Sequence, residues 1–298
     1  MNVVECRDLT KIYTTKKALS NVSFQIKENS ITGLIGRNGA GKTTLLKILT
    51  GFYTKTSGEV KVFSEDPFNN LKASLNTIFT DDQMQFPISL SLQEILDVSQ
   101  SFYPNWDGEL ARGLMDYFRL PANAYYQNLS KGMKSIFNAI VGLSARCALT
   151  IFDEPTTGMD RAVRQDFYRA LLKAYMEYPR TIILSSHLIY EMENLLENIL
   201  LIKNGEIILH LPVEQLEEFA ISITGPVKQV NEFASTREVL HEKELGAYEK
   251  YAVIRKEQND EMRAKGLGLE VQKVQIDDLC MYLTSQTKGG IDDVFKRS

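Results

Sequence analysis

A glycine-rich segment at residues 36–43 has the residue types and spacing to bind phosphate. It reads GRNGAGKT and matches the pattern G-x-x-x-x-G-K-[ST], between the apolar run ITGLI and the helix-like run TTLLKILT. Glycines let the backbone wrap with its N–H groups turned inward, where a helix N-terminus favours anionic oxygens. The predicted phosphate-binding residues are Gly36, Arg37, Asn38, Gly39, Ala40, Gly41, Lys42, Thr43 and Thr44.

Two acidic residues end a second apolar run and could supply metal and proton chemistry. The segment ALTIFDEP places Asp153 and Glu154 at the carboxyl end of a predicted strand, where ligands of α/β sheets bind. Lys42 would add a cation at the β- and γ-phosphates, while the Thr43 hydroxyl and Asp153 would hold Mg²⁺. Glu154 would act as general base for an attacking water. Together the two segments predict the binding and hydrolysis of Mg-ATP.

The elements around these motifs predict an α/β fold. Short β-like runs alternate with longer helical stretches from residue 36 onward, which is typical of a mainly parallel central sheet. We therefore expect a P-loop ATPase core at 1–215 with an antiparallel β edge before residue 30 and a helical insertion at about 82–145. After Pro212 the pattern changes, and 216–298 is expected to form a small α+β accessory domain with a frayed tail.

Composition and charge limit the class of partner. The formal net charge of -4 gives no basic footprint for a phosphate backbone, so nucleic acid is not an expected partner. The three cysteines are far apart with no CxxC pair, which argues against a zinc site and a disulfide framework. No apolar run has the length of a signal peptide or of a bilayer span. We expect a cytoplasmic chain whose contact with a membrane goes through a partner.

With these motifs in this order, about residues 1–215 resemble the ABC transporter ATPase family. The segment NLSKGMK is similar to the family signature LSGGQ and keeps Ser130 and Gly132, but has Lys131 and Met133 in place of Gly and Gln. The resemblance implies that Ser130 and Gly132 contact the γ-phosphate of a nucleotide bound by the opposite subunit, again through a helix N-terminus.

Three further roles come from the same resemblance. His187 follows a predicted strand and would be the catalytic histidine of the family's switch. Tyr13 would lie under the adenine ring, although a tyrosine packed on an edge strand is the alternative. Asp81 falls where the family has its Q-loop glutamine and would be an oxygen ligand for Mg²⁺ or water, with Gln83 and Gln85 as competing assignments.

The resemblance implies an ATP-binding subunit that works as a homo- or heterodimer on the inner face of the cell membrane. It would drive a separate integral membrane permease, and a finer similarity is to small Gram-positive exporters of drugs or peptides, including the phenol-soluble modulin type. One alternative is a regulatory subunit of a heterodimeric transporter, whose site Asp81 and Lys131 would weaken. The other is a soluble ABC ATPase of translation or DNA repair, which the lack of long coiled-coil arms disfavours.

Overall fold

A computed structural model describes residues 1–186 and 189–285 of the chain. The strands are β1 (Asn2–Tyr13), β2 (Lys16–Lys27), β3 (Ile31–Ile35), β4 (Ser57–Val62), β5 (Thr77–Thr80), β6 (Leu149–Asp153), β7 (Thr181–Ser186), β8 (Asn198–Lys203), β9 (Glu206–Pro212), β10 (Ala220–Pro226), β11 (Val239–Glu244), β12 (Glu249–Arg255) and β13 (Glu270–Lys273). The α-helices are α1 (Lys42–Leu49), α2 (Leu71–Asn76), α3 (Leu92–Phe102), α4 (Gly108–Tyr117), α5 (Lys131–Ser144), α6 (Arg161–Glu177), α7 (Val213–Glu217), α8 (Val227–Ala234), α9 (Asp260–Gly266) and α10 (Ile276–Thr284). The chain divides after Leu211 into two compact units.

A six-stranded sheet in the order β5-β6-β7-β3-β8-β9 forms the centre of the first unit. Strands β5, β6, β7, β3 and β8 run parallel to one another. Every residue of β3, β6 and β7 is buried, as expected for strands covered on both faces. The predicted parallel sheet is confirmed, and its strands bring the residues that follow β3, β5 and β6 to one edge.

A three-stranded antiparallel sheet in the order β2-β1-β4 forms the predicted β edge. Its apolar side chains, such as Val4, Leu9 and Val22, share one core with Leu45 and Leu46 of α1. The helix that opens after the phosphate loop is therefore fixed by its buried face. The sequence did not predict β4, since SGEVKV carries too few apolar residues to stand out.

Helices α3, α4 and α5 form the predicted helical insertion between β5 and β6. Ser91 and Glu94 form a reciprocal capping box that starts α3. Asp107 caps α4, and Ser130 caps α5 by accepting a hydrogen bond from the Met133 N–H at 3.3 Å. Helix α5 packs against both β5 and β6, so it reaches the edge of the parallel sheet.

The second unit is the α+β appendage that the sequence predicted, with a specific topology. The order β10-α8-β11-β12-α9-β13 and the antiparallel sheet β11-β12-β10-β13 together make a split βαβ, or ferredoxin-like, arrangement. Its core contains Ile223, Val230, Ala252 and Ile254.

The three cysteines of the chain lie in the protein interior. Cys6, Cys147 and Cys280 are buried and free. Burial raises the pKa of the Cys147 thiol to about 12, so it behaves as a small apolar side chain at neutral pH. Within residues 1–186 and 189–285, no helix combines the length and apolar character needed to cross a bilayer.

Candidate nucleotide-binding site

A cleft of about 690 Å³ opens beside the N-terminus of α1. This volume lies within the range of small-molecule and cofactor sites. Thirteen residues line the cleft: Tyr13, Lys16, Lys17, Ala18, Arg37, Asn38, Gly39, Gly41, Lys42, Thr43, Thr44, Glu154 and Asn204. Nine of them carry a predicted role, and the structure brings these nine together around one space.

Lys16, Lys17, Ala18 and Asn204 are the lining residues that the sequence did not predict. Two lysines at the start of β2 add positive charge beside the phosphate loop, which favours a polyanionic ligand. Asn204 lies in the Asn-Gly turn between β8 and β9, where both residues have positive φ. Neither feature has a phosphate-binding spacing in the sequence, so only the folded chain assigns them to the cleft.

Tyr13 is the aromatic residue of the cleft lining. It ends β1 with its side chain 39% exposed, and the Lys11 ammonium lies 5.0 Å from its ring centroid. An exposed ring at the rim can stack on a base, and it does not depend on base-specific hydrogen bonds to do so. The ring also packs edge-to-face on Tyr53, with 6.2 Å between the ring centroids, so stacking on a base stays a prediction.

Lys42 is the cation of the cleft, and it is almost completely buried. Its Nζ donates to the Gly36 carbonyl at 2.7 Å and lies 3.2 Å from Glu154 Oε1. It stands in the first turn of α1, where the free backbone N–H groups and the helix dipole also favour negative charge. This end of the cleft is built for phosphate.

Gly36 and Ala40 support the loop and lie outside the lining of the cleft. A Cβ at Gly36 would lie 2.5 Å from the carbonyl oxygen of Ile202, so only glycine lets the loop pack this closely on β8. The Ala40 carbonyl accepts from the Gly205 N–H at 2.8 Å. Both residues fix the loop in place, and a direct phosphate contact by them stays a prediction.

Asp153 ends β6 under the phosphate loop with two hydroxyls on its carboxylate. Thr43 Oγ1 donates to Asp153 Oδ2 at 2.6 Å, and Ser185 Oγ donates to Asp153 Oδ1. Burial raises the pKa of the Asp153 carboxyl, while these two hydrogen bonds act to lower it. The donor set of a hydroxyl and a carboxylate contains only oxygen, which Mg²⁺ prefers, so these residues fit that ion.

Glu154 follows with its backbone in the left-handed region, at φ 51°. Its N–H donates to Ser185 Oγ at 3.0 Å. A non-glycine residue in this region stores about 1 kcal/mol or more, and such strain is concentrated at functional sites. Ser185 thus holds both acidic residues from the neighbouring strand, a function that its place in TIILSS did not reveal.

Asp81 follows β5 and is engaged away from the phosphate loop. Its Oδ2 lies 3.4 Å from Lys47 Nζ, and its Oδ1 accepts from the Gln83 N–H at 3.1 Å. Gln83 Oε1 in turn accepts from Lys47 Nζ at 3.1 Å, while Gln85 is exposed. Asp81 and Glu154 line one small cavity, so the predicted ligand lies near the predicted base, and its role toward Mg²⁺ stays a prediction.

The signature-like segment lies apart from the lining of the cleft. Ser130 is exposed at the start of α5. A Cβ at Gly132 would lie 2.5 Å from the Gly158 carbonyl oxygen, so this glycine allows α5 to approach the loop after Glu154. A contact with the nucleotide of another subunit stays a prediction, and His187 lies outside the described residues.

The parallel sheet, the phosphate loop and the acidic strand end define a P-loop nucleotide-binding protein. A model of the ABC transporter family matches residues 19–157. The lantibiotic transport ATP-binding protein SrtF of Streptococcus pyogenes is 30% identical over 224 residues, which are 72% of this chain and 95% of the relative. The bacitracin transport ATP-binding protein BcrA of Bacillus licheniformis is 28% identical over 219 residues, 72% of each chain. The solved dimeric structure of a bacterial ABC transporter cassette has a TM-score of 0.63 at 23% identity and covers 70% of this chain and 98% of the cassette.

The chain belongs to the family of ABC transporter ATP-binding proteins. It is the ATP-binding subunit of a transporter, and its reaction is ATP hydrolysis. Subunits of this family work with membrane components and form dimers. The relatives do not favour the alternative of a regulatory subunit.

Proposed function

We propose that the cleft binds Mg-ATP and that Glu154 is the general base that activates the water for ATP hydrolysis. The observation that carries this proposal is the hydrogen-bonded group formed by Thr43, Asp153, Ser185 and Glu154 beside the Lys42 ammonium. Lys42, Thr43 and Glu154 line the cleft, and the buried Asp153 and Ser185 lie directly behind them, so phosphate binding, an oxygen pair suited to Mg²⁺ and a carboxylate meet at one place.

In this proposal each side chain has a separate task. Lys42 and the N-terminal N–H groups of α1 hold the β- and γ-phosphates, and Tyr13 stacks on the base. Thr43 and Asp153 hold Mg²⁺, which offsets phosphate charge during transfer. Glu154 accepts the proton of the attacking water. Ser130 and Gly132 of a second subunit close the site over the γ-phosphate, with Asp81 and His187 as further predicted contacts.

We further propose that the chain works on the inner face of the cell membrane with a separate permease. The two relatives compared here are transport ATP-binding proteins for a lantibiotic and for bacitracin. An exporter of peptides or drugs is the class of transporter that these names support. The ATP-binding cleft contains no contact with cargo, so the permease would select what is moved.

Nucleotide binding by the purified full chain tests the first proposal. We expect Mg-ATP to bind and turn over, and chelation of Mg²⁺ to stop the turnover. Lys42→Ala should weaken ATP binding about 10-fold or more, since it removes a hydrogen-bonded charge at the phosphates. Lys61→Ala, at an exposed position of β4, is the matched control. Equal ATP affinity in both variants would contradict the assignment of the cleft.

Cross-linking in membranes tests the second proposal. A tagged chain in its native cells should be recovered in covalent complex with an integral membrane protein after treatment with a short cross-linker. Recovery from the soluble fraction alone, with ATP hydrolysis intact in that fraction, would contradict a permease partner while leaving the nucleotide site unaffected.

A further inference from the structure

A buried amide in α5 lies beside the carboxyl end of β5. Asn138 is 4% exposed, and its Nδ2 donates to the Asp81 carbonyl at 2.9 Å. Its Oδ1 is buried without a hydrogen-bond partner among the described residues. Because the Asp81 carbonyl needs a donor, this contact also fixes which end of the amide is the oxygen.

The same side chain lines a small cavity at the carboxyl ends of β5 and β6. The cavity has a volume of about 10 Å³ and is lined by Thr80, Asp81, Asp82, Ser135, Asn138, Ala139, Glu154 and Pro155. This is about the volume that one water molecule occupies, and the lining is polar enough to give a water several partners. Glu154 therefore lines two spaces, the nucleotide cleft and this cavity.

A buried carbonyl oxygen without a partner costs about 1–3 kcal/mol, so a polar cavity beside it is suited to a water molecule. A water can donate two hydrogen bonds, one to Asn138 Oδ1 and one to a carboxylate oxygen. Asn138 and Glu154 both line this cavity, and neither of these oxygens can donate to the other when Glu154 is ionised. Water is thus a small ligand that can donate to both side chains.

We propose that Asn138 positions Glu154 through one water molecule held in this cavity. The water restrains one side of the carboxylate, while its Oε1 lies 3.2 Å from the Lys42 Nζ beside the cleft. Asn138 is a positioning residue in this arrangement, since it acts on the reaction only through Glu154. The inference rests on the proposed role of Glu154 as general base.

Two substitutions of Asn138 separate this role from a packing role. Asn138→Leu keeps the branched shape at a larger volume and removes both the acceptor and the donor to the Asp81 carbonyl, while Asn138→Ala removes both groups and leaves room for a second water. We expect Asn138→Leu to lower kcat about 10-fold, the factor that corresponds to 1.4 kcal/mol, with the KM for ATP within about 2-fold of wild type. Asn138→Ala should retain more activity than Asn138→Leu and yet unfold at a lower temperature.

If Asn138 had only a packing role, the more stable of the two variants would also be the more active one. We expect the reverse. Ser144→Ala is the matched control, because Ser144 is a buried residue of α5 whose hydroxyl has no partner among described residues and does not line the cavity. It should leave kcat unchanged. Full kcat in Asn138→Leu, or activities of the two variants that follow their stabilities, would overturn the inference. Glu154→Gln, measured in parallel, tests the proposed base itself. Full activity of this variant would contradict both the proposed function and this inference.

Discussion

Ser185 offers a direct test of how Asp153 and Glu154 are positioned at the end of β6. Its hydroxyl is fully buried, donates to the Asp153 carboxylate and accepts from the Glu154 N–H. In Ser185→Ala the hydrogen bond to the charged carboxylate, worth about 1.5–3 kcal/mol, is lost, and the Glu154 N–H loses a bond worth about 1 kcal/mol. We expect the free energy of unfolding to fall by about 2.5–4 kcal/mol, the sum of these two terms.

Ser185→Ala should also lower kcat, even where the variant is fully folded. If 1.4–2.8 kcal/mol of the lost interaction acts on the geometry of Asp153 and Glu154 in the transition state, kcat falls about 10- to 100-fold. Steady-state ATP hydrolysis at a temperature where the variant is fully folded measures this, with Thr32→Val as control. Thr32 is a buried residue of β3 whose hydroxyl has no partner among the described residues, so its loss should change kcat little. A Ser185→Ala enzyme with the kcat of wild type would refute the role of Ser185 in holding the site.

Two further predictions concern Asp153, the proposed Mg²⁺ ligand, and the start of α5. Asp153→Asn should abolish ATP hydrolysis and raise the free energy of unfolding at neutral pH without Mg²⁺, because burial raises the pKa of the Asp153 carboxyl and the charged form is costly. The gain should shrink under mild acid, where the wild-type carboxyl takes up its proton, and urea titrations at the two pH values check the sign. Gly132→Ala should lower stability by about 1–3 kcal/mol, since its Cβ would lie 2.5 Å from the Gly158 carbonyl oxygen. Gly113→Ala, in α4 with no atom within 4 Å of its Cβ, should raise stability instead in the same thermal unfolding experiment.

The sequence was most informative where chemistry restricts the residue types. The apolar runs of β3, β6 and β7 predicted central parallel strands because burial on both faces leaves no polar positions. The phosphate loop was predictable for the same reason, since its spacing is imposed by the shape of a phosphate. Eight of the thirteen residues that line the cleft follow from the phosphate loop and the acidic strand end, and Tyr13 follows from the family resemblance.

Residues whose roles depend on distant parts of the chain could not be found this way. Lys16 and Asn204 reach the cleft from β2 and from the turn after β8, and their types are common on surfaces. Ser185 and Asn138 are identified only by their hydrogen bonds to distant residues, to the Glu154 N–H and to the Asp81 carbonyl respectively. The ferredoxin-like order of the second unit is likewise a property of strand pairing, which the alternation within single strands does not specify.

The rate of ATP hydrolysis by Glu154→Gln tests most directly whether this cleft is a catalytic site. Because general-base catalysis contributes about 10²–10⁴-fold, we expect kcat to fall at least about 100-fold. ATP binding should be retained, since the glutamine keeps the size of the side chain next to Lys42, and ATP should then hold the subunits as a dimer. Glu59→Gln, at an exposed position of β4, should leave both properties unchanged. A Glu154→Gln chain that hydrolyses ATP at the wild-type rate would contradict the assignment of the base and of the site.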